Sequence, residues 1–349
     1  MLLSQRGSKL LILTQKIDCQ DDVLGFFHGW VQALAGQFEF INVICLEQGQ
    51  LDLPTNVKVY SLGKEKKHRR WQYLFRFYRL IISLRHNYDT VFVHMNQEYI
   101  LLGSLLWRHW GKKIFLWYNH TTGTIWTRLA MKLAQRVCHT SPYAFTAGTE
   151  KSLRLPAGID TDYFRPIRSI KKTANSILYL GRIAPVKKIH ILIAAVKKLN
   201  RADRKIILDI YGGSSAKDQT YLENLRQSAA ELTKLGQINF CGRIPYLATP
   251  EIYNAHEILI NLTPRGNYDK TVLEAMACET LVAVSSQAFS DLLPENCFFS
   301  EEDPVSLTVA IGKLLDLSLT EKLNAGRKFR HTIIDRHDLK KLAQQLRQM

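Results

Sequence analysis

Residues 177–196 read ILYLGRIAPVKKIHILIAAV, and this run decides the fold. Four apolar residues, Ile177–Leu180, stop at Gly181; a loop with Arg182 and Lys187 follows; apolar residues then recur at helical spacing from Ile189 to Leu199. A short apolar run bounded by glycine and followed by an amphipathic helix is the strand–turn–helix unit of a parallel α/β sheet. In such sheets ligands sit beyond the carboxyl ends of the strands, where loops enter helices. Gly181 lets the chain turn tightly there, and the two cations stand beside a helix N-terminus already suited to phosphate.

The alternation continues outward. After 196 the sequence predicts strands at Ile206–Tyr211, Ile238–Cys241, Ile258–Leu262 and Leu281–Val284, with helices at Lys217–Leu235, Pro250–His256 and Val272–Cys278. Upstream, the strand-like runs Leu10–Leu13, Phe40–Cys45, Val91–His94 and Ile114–Trp117 alternate with helical segments Val23–Ala35, Trp71–Arg85, Tyr99–Trp110 and Ile125–Arg136. Two doubly wound α/β domains are expected, residues 1–167 and 168–334, joined by a polar link near Arg165–Asn175. Amphipathic helices over Pro304–Leu315 and Thr320–Met349 close the chain, and the segment from about 335 to 349 is expected to pack back on the first domain. A length of 349 residues suits two cores.

A second loop, TPRGNYDKTVLEAMA from Thr263, follows a strand and feeds a helix whose first turn is expected to hold Glu274. A carboxylate there is favoured by the helix dipole alone. It also suits a pair of vicinal hydroxyls such as a ribose offers, and Gly266, Asn267, Thr271 and the amides around Lys270 converge on a polar ligand in the same reading.

The six cysteines are widely spaced with no CxxC pair, which argues against a disulfide framework or zinc site and fits a reducing compartment. The opening MLLSQRGSKLLILTQ has apolar runs too short for a signal sequence, and Tyr99–Trp107 is about half a membrane span. The expected location is therefore cytoplasmic, with any membrane contact peripheral and on the inner face. The net charge of +16 is uneven: Lys58–Arg136 holds fifteen Lys/Arg against Glu65, Asp89 and Glu98. An anionic membrane, a nucleic acid, a phosphorylated substrate or a merely solvated basic face would each account for it. Within it KEKKHRRWQYLFRFYRLIISLR, Lys64–Arg85, is expected as one helix mixing Trp71, Tyr73, Phe75 and Phe77 with cations. It suits an anionic lipid interface, or else Leu74, Phe77, Ile81 and Leu84 form a core stripe under a wet basic face. No nucleic-acid motif accompanies the charge, so no nucleic acid is expected as partner.

The segments ILYLGRIAPVKKIHILIAAV and TPRGNYDKTVLEAMACETLVAVSS, with YGGSSAKDQ, INFCGRIP and LPAGIDTDYFRP in order between and before them, resemble the retaining glycosyltransferases of family 4, the glycosyl transferases group 1. The resemblance implies the GT-B fold, two Rossmann-like doubly wound domains facing a central cleft. It implies transfer of a sugar from a nucleotide-diphosphate sugar to a glycan or lipid-linked acceptor, with retention and with no cofactor or metal required. Arg182 and Lys187 would hold the diphosphate, Glu274 the ribose, and the Asn267–Lys270 amides, with Tyr268 and Asp269 between them, the sugar or distal phosphate. Gly181 and Gly212 would be the strand-end glycines of the donor site. Gly25 remains of an acceptor-side glycine pair, and His120, with His94 as rival, would contact the donor sugar.

The sequence also departs from the pattern. Gly266 stands where the first Glu of E-x7-E belongs, and Asp269 is the preferred substitute; Ala157 replaces an Asn and Lys188 a Gly. The loss at Gly266 leaves open a nucleotide-sugar binder without turnover, and the charge a basic nucleic-acid-binding α/β protein. Asp160-Thr-Asp162 lies in the linker-like segment and is not read as metal-binding.

Overall fold

The computed structural model describes residues 8–349; Met1–Gly7, the first part of the opening segment, lie outside the described residues. The chain divides into two compact units, Met1–Gly158 with Leu339–Met349, and Ile159–Asp338.

The first unit contains β1 (Lys9–Ile17), α1 (Gly25–Ala35), β2 (Phe40–Gln48), β3 (Val57–Ser61), α2 (Arg70–Ser83), β4 (Thr90–His94), α3 (Glu98–His109), β5 (Lys113–Trp117), α4 (Ile125–Leu133), β6 (Arg136–His139) and β7 (Ser152–Arg154). Among the described residues its seven strands are all parallel, in the order β3-β2-β1-β4-β5-β6-β7. One face of the sheet packs on α1 through Phe27, Trp30 and Leu34, the other under α2, α3 and α4 through Phe77, Ile81, Ile100, Trp107 and Ala130. Apolar side chains point to both faces of each strand, which is why the strands read as continuous hydrophobic runs.

The second unit contains β8 (Ser176–Leu180), α5 (Ile189–Arg201), β9 (Ile207–Tyr211), α6 (Gln219–Lys234), β10 (Ile238–Gly242), α7 (Thr249–Ala255), β11 (Ile258–Asn261), α8 (Lys270–Ala277), β12 (Leu281–Val284), α9 (Pro304–Leu315) and α10 (Leu319–Arg336). Its five parallel strands run β10-β9-β8-β11-β12. The strand order reverses between β8 and β11, so the loops leaving these two strands flank one crevice.

The final helix α11 (Leu339–Gln348) belongs to the first unit and buries Leu339, Leu342, Ala343 and Leu346 against the core that contains Trp30. The chain therefore leaves the first unit after Gly158 rather than after residue 167, and re-enters it at Leu339. The crossings have a local cause. Ile159 N donates to His337 O at 2.8 Å and Ile159 bridges Asp338, so both passages are pinned side by side in the second unit. Thr161 Oγ1 donates to Asp338 in a short hydrogen bond. This pinning splits the helix expected over Thr320–Met349 into α10 and α11.

Gly158 sits at φ +66°, and a Cβ there would lie 2.5 Å from Leu342 Cδ2 and 2.7 Å from Trp30 Nε1. Its carbonyl accepts the Trp30 indole N–H at 2.9 Å.

Three helix starts fall later than the sequence pattern predicts: α6 begins at Gln219 rather than Lys217, and the other two have a clear local cause. Asp21 Oδ1 accepts from the amides of Val23 and Leu24 at 2.9 and 2.7 Å, a turn that delays α1 to Gly25. The basic segment Lys64–Arg85 is helical only over Arg70–Ser83. Gly63 and Lys67 take positive φ, and the amides of Lys66 and His68 fold back on Gly63 O. A helix begun at Lys64 would add Lys64, Lys66 and Lys67 to the positive end of its dipole; the turn removes these three, and at the observed start Gln72 Oε1 accepts from Arg69 N at 2.7 Å. Phe77, Ile81 and Leu84 are core residues as the apolar spacing predicts, but Leu74 is exposed.

Removing the fully buried Leu342 side chain opens a cavity beside Trp30. Leu342→Ala is expected to lower stability by about 3 kcal/mol, read as a lower midpoint in urea unfolding followed by tryptophan fluorescence, with little change for the exposed Leu323→Ala.

Candidate donor site

The site is built on the switch point of the second unit. β8 delivers Gly181 and Arg182 into a loop that ends in a tight turn, Pro185–Lys187, before α5. β11 delivers Leu262–Asp269 before α8.

Lys187 Nζ meets Asp269 Oδ2 at 2.8 Å and Thr263 Oγ1 at 2.8 Å. Thr263 Oγ1 also donates to Asp269 Oδ2, at 3.0 Å, and Asn261 Nδ2 reaches it at 3.2 Å. The other carboxylate oxygen caps α8 by accepting from Thr271 N at 3.4 Å. Burial works to raise the Asp269 pKa, but the Lys187 ammonium and the hydroxyl and amide donors outweigh it and hold the carboxyl well below its ordinary range. An ammonium has three N–H donors, and Asp269 and Thr263 engage two, so one remains for an incoming anion.

Arg182 is exposed and its carbonyl accepts from Tyr179 Oη at 2.9 Å. Gly212, at φ +136°, passes so close that a Cβ would fall 1.9 Å from Gly181 O. Its glycine is required by the crossing of the β8 and β9 ends. Lys188 takes φ +49°, a conformation that explains a glycine at this place, and turns its ammonium to Glu301 at 2.5 Å and Glu302 at 2.6 Å. The two lysines thus part company.

Gly266 has φ +87°, so the position expected to carry a glutamate adopts a backbone conformation that disfavours any side chain. Asn267 closes its own turn: both its amide and its Nδ2 donate to Pro264 O, at 3.1 and 3.2 Å. Tyr268 points into the core, stacked on Phe289 with ring centroids 4.6 Å apart and with its hydroxyl 2.9 Å from His337 Nε2. Thr271 Oγ1 lies 3.5 Å from Asn261 Nδ2.

Glu274 is the fifth residue of α8, one turn further in than the first-turn position its sequence context predicts. It is 3% exposed, and Tyr246 and Tyr253 donate to its two oxygens at 3.2 and 2.8 Å. Burial raises its pKa against these donors and the nearby Lys270 ammonium, whose own pKa burial lowers. Each oxygen keeps a further lone pair.

In the first unit, His94 at the end of β4 is buried, stacked on Phe27 at 4.0 Å, with Nδ1 3.4 Å from Thr14 Oγ1. His120, in the loop after β5, is exposed; its carbonyl accepts from Phe145 N at 2.8 Å and its ring meets Tyr118 edge-on. The packing makes His94 structural and leaves His120 available to a ligand. Gly25 opens α1, and its amide donates to Asp21 O at 3.2 Å. Asp160 Oδ1 accepts the amides of Asp162 and Tyr163, both at 3.1 Å, and so serves its own turn. Among the described residues no group of three or more His, Cys, Asp or Glu is arranged to hold a metal ion, and all six cysteines are free.

The sequence reading missed Asn261 and Thr263, which hold Asp269, and Tyr246 and Tyr253, which hold Glu274. Nothing in local spacing pairs Tyr253 with a residue of the next helix; only the contact of α7 with α8 does.

The two parallel-sheet units, with a crevice at the switch point of the second, define a GT-B fold. Comparison agrees: Anabaena HepE, solved in complex with UDP, superposes with a TM-score of 0.78 at 16% identity over 97% of this chain and 98% of that one. Sucrose-phosphate synthase from Thermosynechococcus elongatus gives 0.76 at 15% identity over 97% and 98%. A glycosyltransferase from Rickettsia africae gives 0.74 at 13% over 97% of each chain. No curated protein matches the sequence. Residues 160–295 match the model of the family described as Glycosyl transferases group 1.

Asp269 links the fold to its acid stability. A carboxyl depressed in the folded state favours folding above its unfolded value of about 4 and loses that contribution as the pH falls toward the folded value. Asp269→Asn is expected to cost about 2 kcal/mol at neutral pH and to flatten the acid limb of stability against pH below about 4, measured by chemical unfolding across the range.

Proposed function

We propose that the chain is a group 1 glycosyltransferase that moves a hexosyl group from a nucleotide-diphosphate sugar to an acceptor with retention of anomeric configuration. The observation that carries the reading is an exposed Arg182 and an anchored Lys187 in the one loop that leads from β8 to the α5 N-terminus. When the bond from the anomeric carbon to the diphosphate oxygen breaks, negative charge gathers on that oxygen. Fixed cations lower the barrier because they need no reorganisation as the charge develops. The acceptor oxygen then bonds to the anomeric carbon on the face the diphosphate leaves, and its proton passes to a departing phosphate oxygen.

Asp269 has one oxygen committed to Lys187, Thr263 and Asn261 and the other to the α8 cap, which supports a role in aiming Lys187 rather than in reading the sugar. Glu274 is assigned to the ribose through its remaining lone pairs. Gly181, Gly212 and Gly266 are assigned to close backbone approach, the backbone amides of the Asn267–Lys270 loop with Thr271 to the sugar or distal phosphate, His120 to the donor sugar, and Gly25 to the acceptor side. Complexes of HepE with UDP-glucose favour a nucleotide sugar as donor here too. The proposed acceptor is lipid-linked or a cell-envelope glycan, which would place the chain in polysaccharide or glycolipid synthesis at the inner face of the membrane.

Calorimetry and a thermal-shift panel of nucleotide sugars test the donor, and a donor-hydrolysis assay separates turnover from binding without turnover, the alternative raised by Gly266. Arg182→Ala is expected to reduce kcat/KM by at least about tenfold with the melting temperature unchanged; full activity in this variant rejects the diphosphate assignment. His120→Ala is expected to lower kcat by about tenfold or more with nucleotide affinity retained, and an unchanged kcat removes His120 from the sugar site.

A further inference from the structure

The outer surface of the α2–α3–α4 layer carries an apolar array that the fold does not use. On α2 the side chains Phe77 and Ile81 face the core, yet a second apolar stripe, Trp71, Phe75 and Ile82 at helical spacing, faces solvent. α2 lies along α3: Phe77 stacks on Tyr99, and Tyr78 Oη donates to Leu102 O at 3.0 Å. α3 in turn packs on α4. On these neighbours Leu105, Ile125 and Trp126 are exposed, and with Trp71 and Phe75 each shows 60% or more of its surface to solvent. Five large apolar side chains exposed to this degree on three adjoining helices are poorly solvated by water, and exposed apolar surface on this scale marks interaction sites.

The charge around the patch selects its occupant. The three helices carry one carboxylate, Glu98, against Arg70, Arg76, Arg79, Arg108, Arg128 and Lys132. A second copy of the same face would bring these cations together, which like-charge repulsion opposes. Tryptophan and phenylalanine flanked by arginine suit the boundary of a bilayer, where the rings enter the headgroup region and the guanidinium groups meet anionic lipid. Among the described residues no helix is long and apolar enough to cross a membrane, so this contact lies along the surface.

We infer that the α2–α3–α4 face is a docking surface for an anionic lipid bilayer, with Trp71, Phe75, Leu105, Ile125 and Trp126 inserted at the interface. The inference gives the proposed membrane-presented acceptor its physical setting, but its evidence is independent of that reading.

The test is co-sedimentation of the full chain with vesicles of phosphatidylcholine alone, or of phosphatidylcholine and phosphatidylglycerol at about 7:3, without donor or acceptor. Binding is expected only with the anionic lipid and is expected to weaken with added salt. Phe75→Ser with Trp126→Ser is expected to reduce the bound fraction roughly fivefold or more, and Arg79→Ser with Arg128→Ser to reduce it and its salt dependence. These side chains are exposed, so an unchanged melting temperature is expected for both pairs. No binding to the anionic vesicles, or binding unaffected by the Phe75 and Trp126 substitutions, overturns the inference. So does a dimer in sedimentation velocity that the same substitutions dissolve, which would assign the face to a second copy. Donor binding in solution is unaffected by any of these outcomes, so failure here and failure of the glycosyl-transfer reading are told apart.

Discussion

The ion pair between Lys187 and Asp269 ties together the two loops on which the candidate site depends. Parallel strands deliver their loops to one edge of the sheet, and the reversal of strand order between β8 and β11 opens a crevice at that edge. A crevice alone would leave Lys187 swinging on a flexible stem. Asp269 fixes it, and Asp269 is itself fixed by Thr263, Asn261 and the first turn of α8. A half-buried carboxylate with so many donors costs little to keep ionised, whereas without Lys187 its charge would be unfavourable. Anchoring of the cation and tolerance of the acid are thus one arrangement.

The same logic of mutual dependence shapes the chain's path. Gly158 accepts the Trp30 indole and leaves room for Leu342, a residue of the last helix, so the first unit's core closes only when the C-terminal segment has returned to it. The pairing of Ile159 with His337 and Asp338 holds the outgoing and incoming strands of chain together at the crossing.

The two units spend their polar residues differently. In the second, the charges of Lys187, Lys188, Asp269 and Glu274 are each met by named partners, giving a preorganised site. In the α2–α4 layer of the first, cations and large apolar side chains remain at the surface. That contrast matches the proposed donor site in the second unit and the proposed docking surface in the first.

Sequence alone determined the α/β class, the alternation of strands and helices and the two strand-end loops, because these follow from local periodicity and from glycine placement over a few residues. It also brought Arg182, Lys187 and Glu274 forward as the residues of interest. Tertiary structure decided what local pattern does not encode. That Asp269 serves Lys187, that Glu274 rests on Tyr246 and Tyr253, and that His94 is consumed by Phe27 all depend on residues far apart in the chain meeting at a shared edge or core. The unit boundary at Gly158 and the exposure of Leu74 depend likewise on which partner each segment finds. Periodicity tells that a residue is apolar and faces some side; only packing tells whether that side is covered.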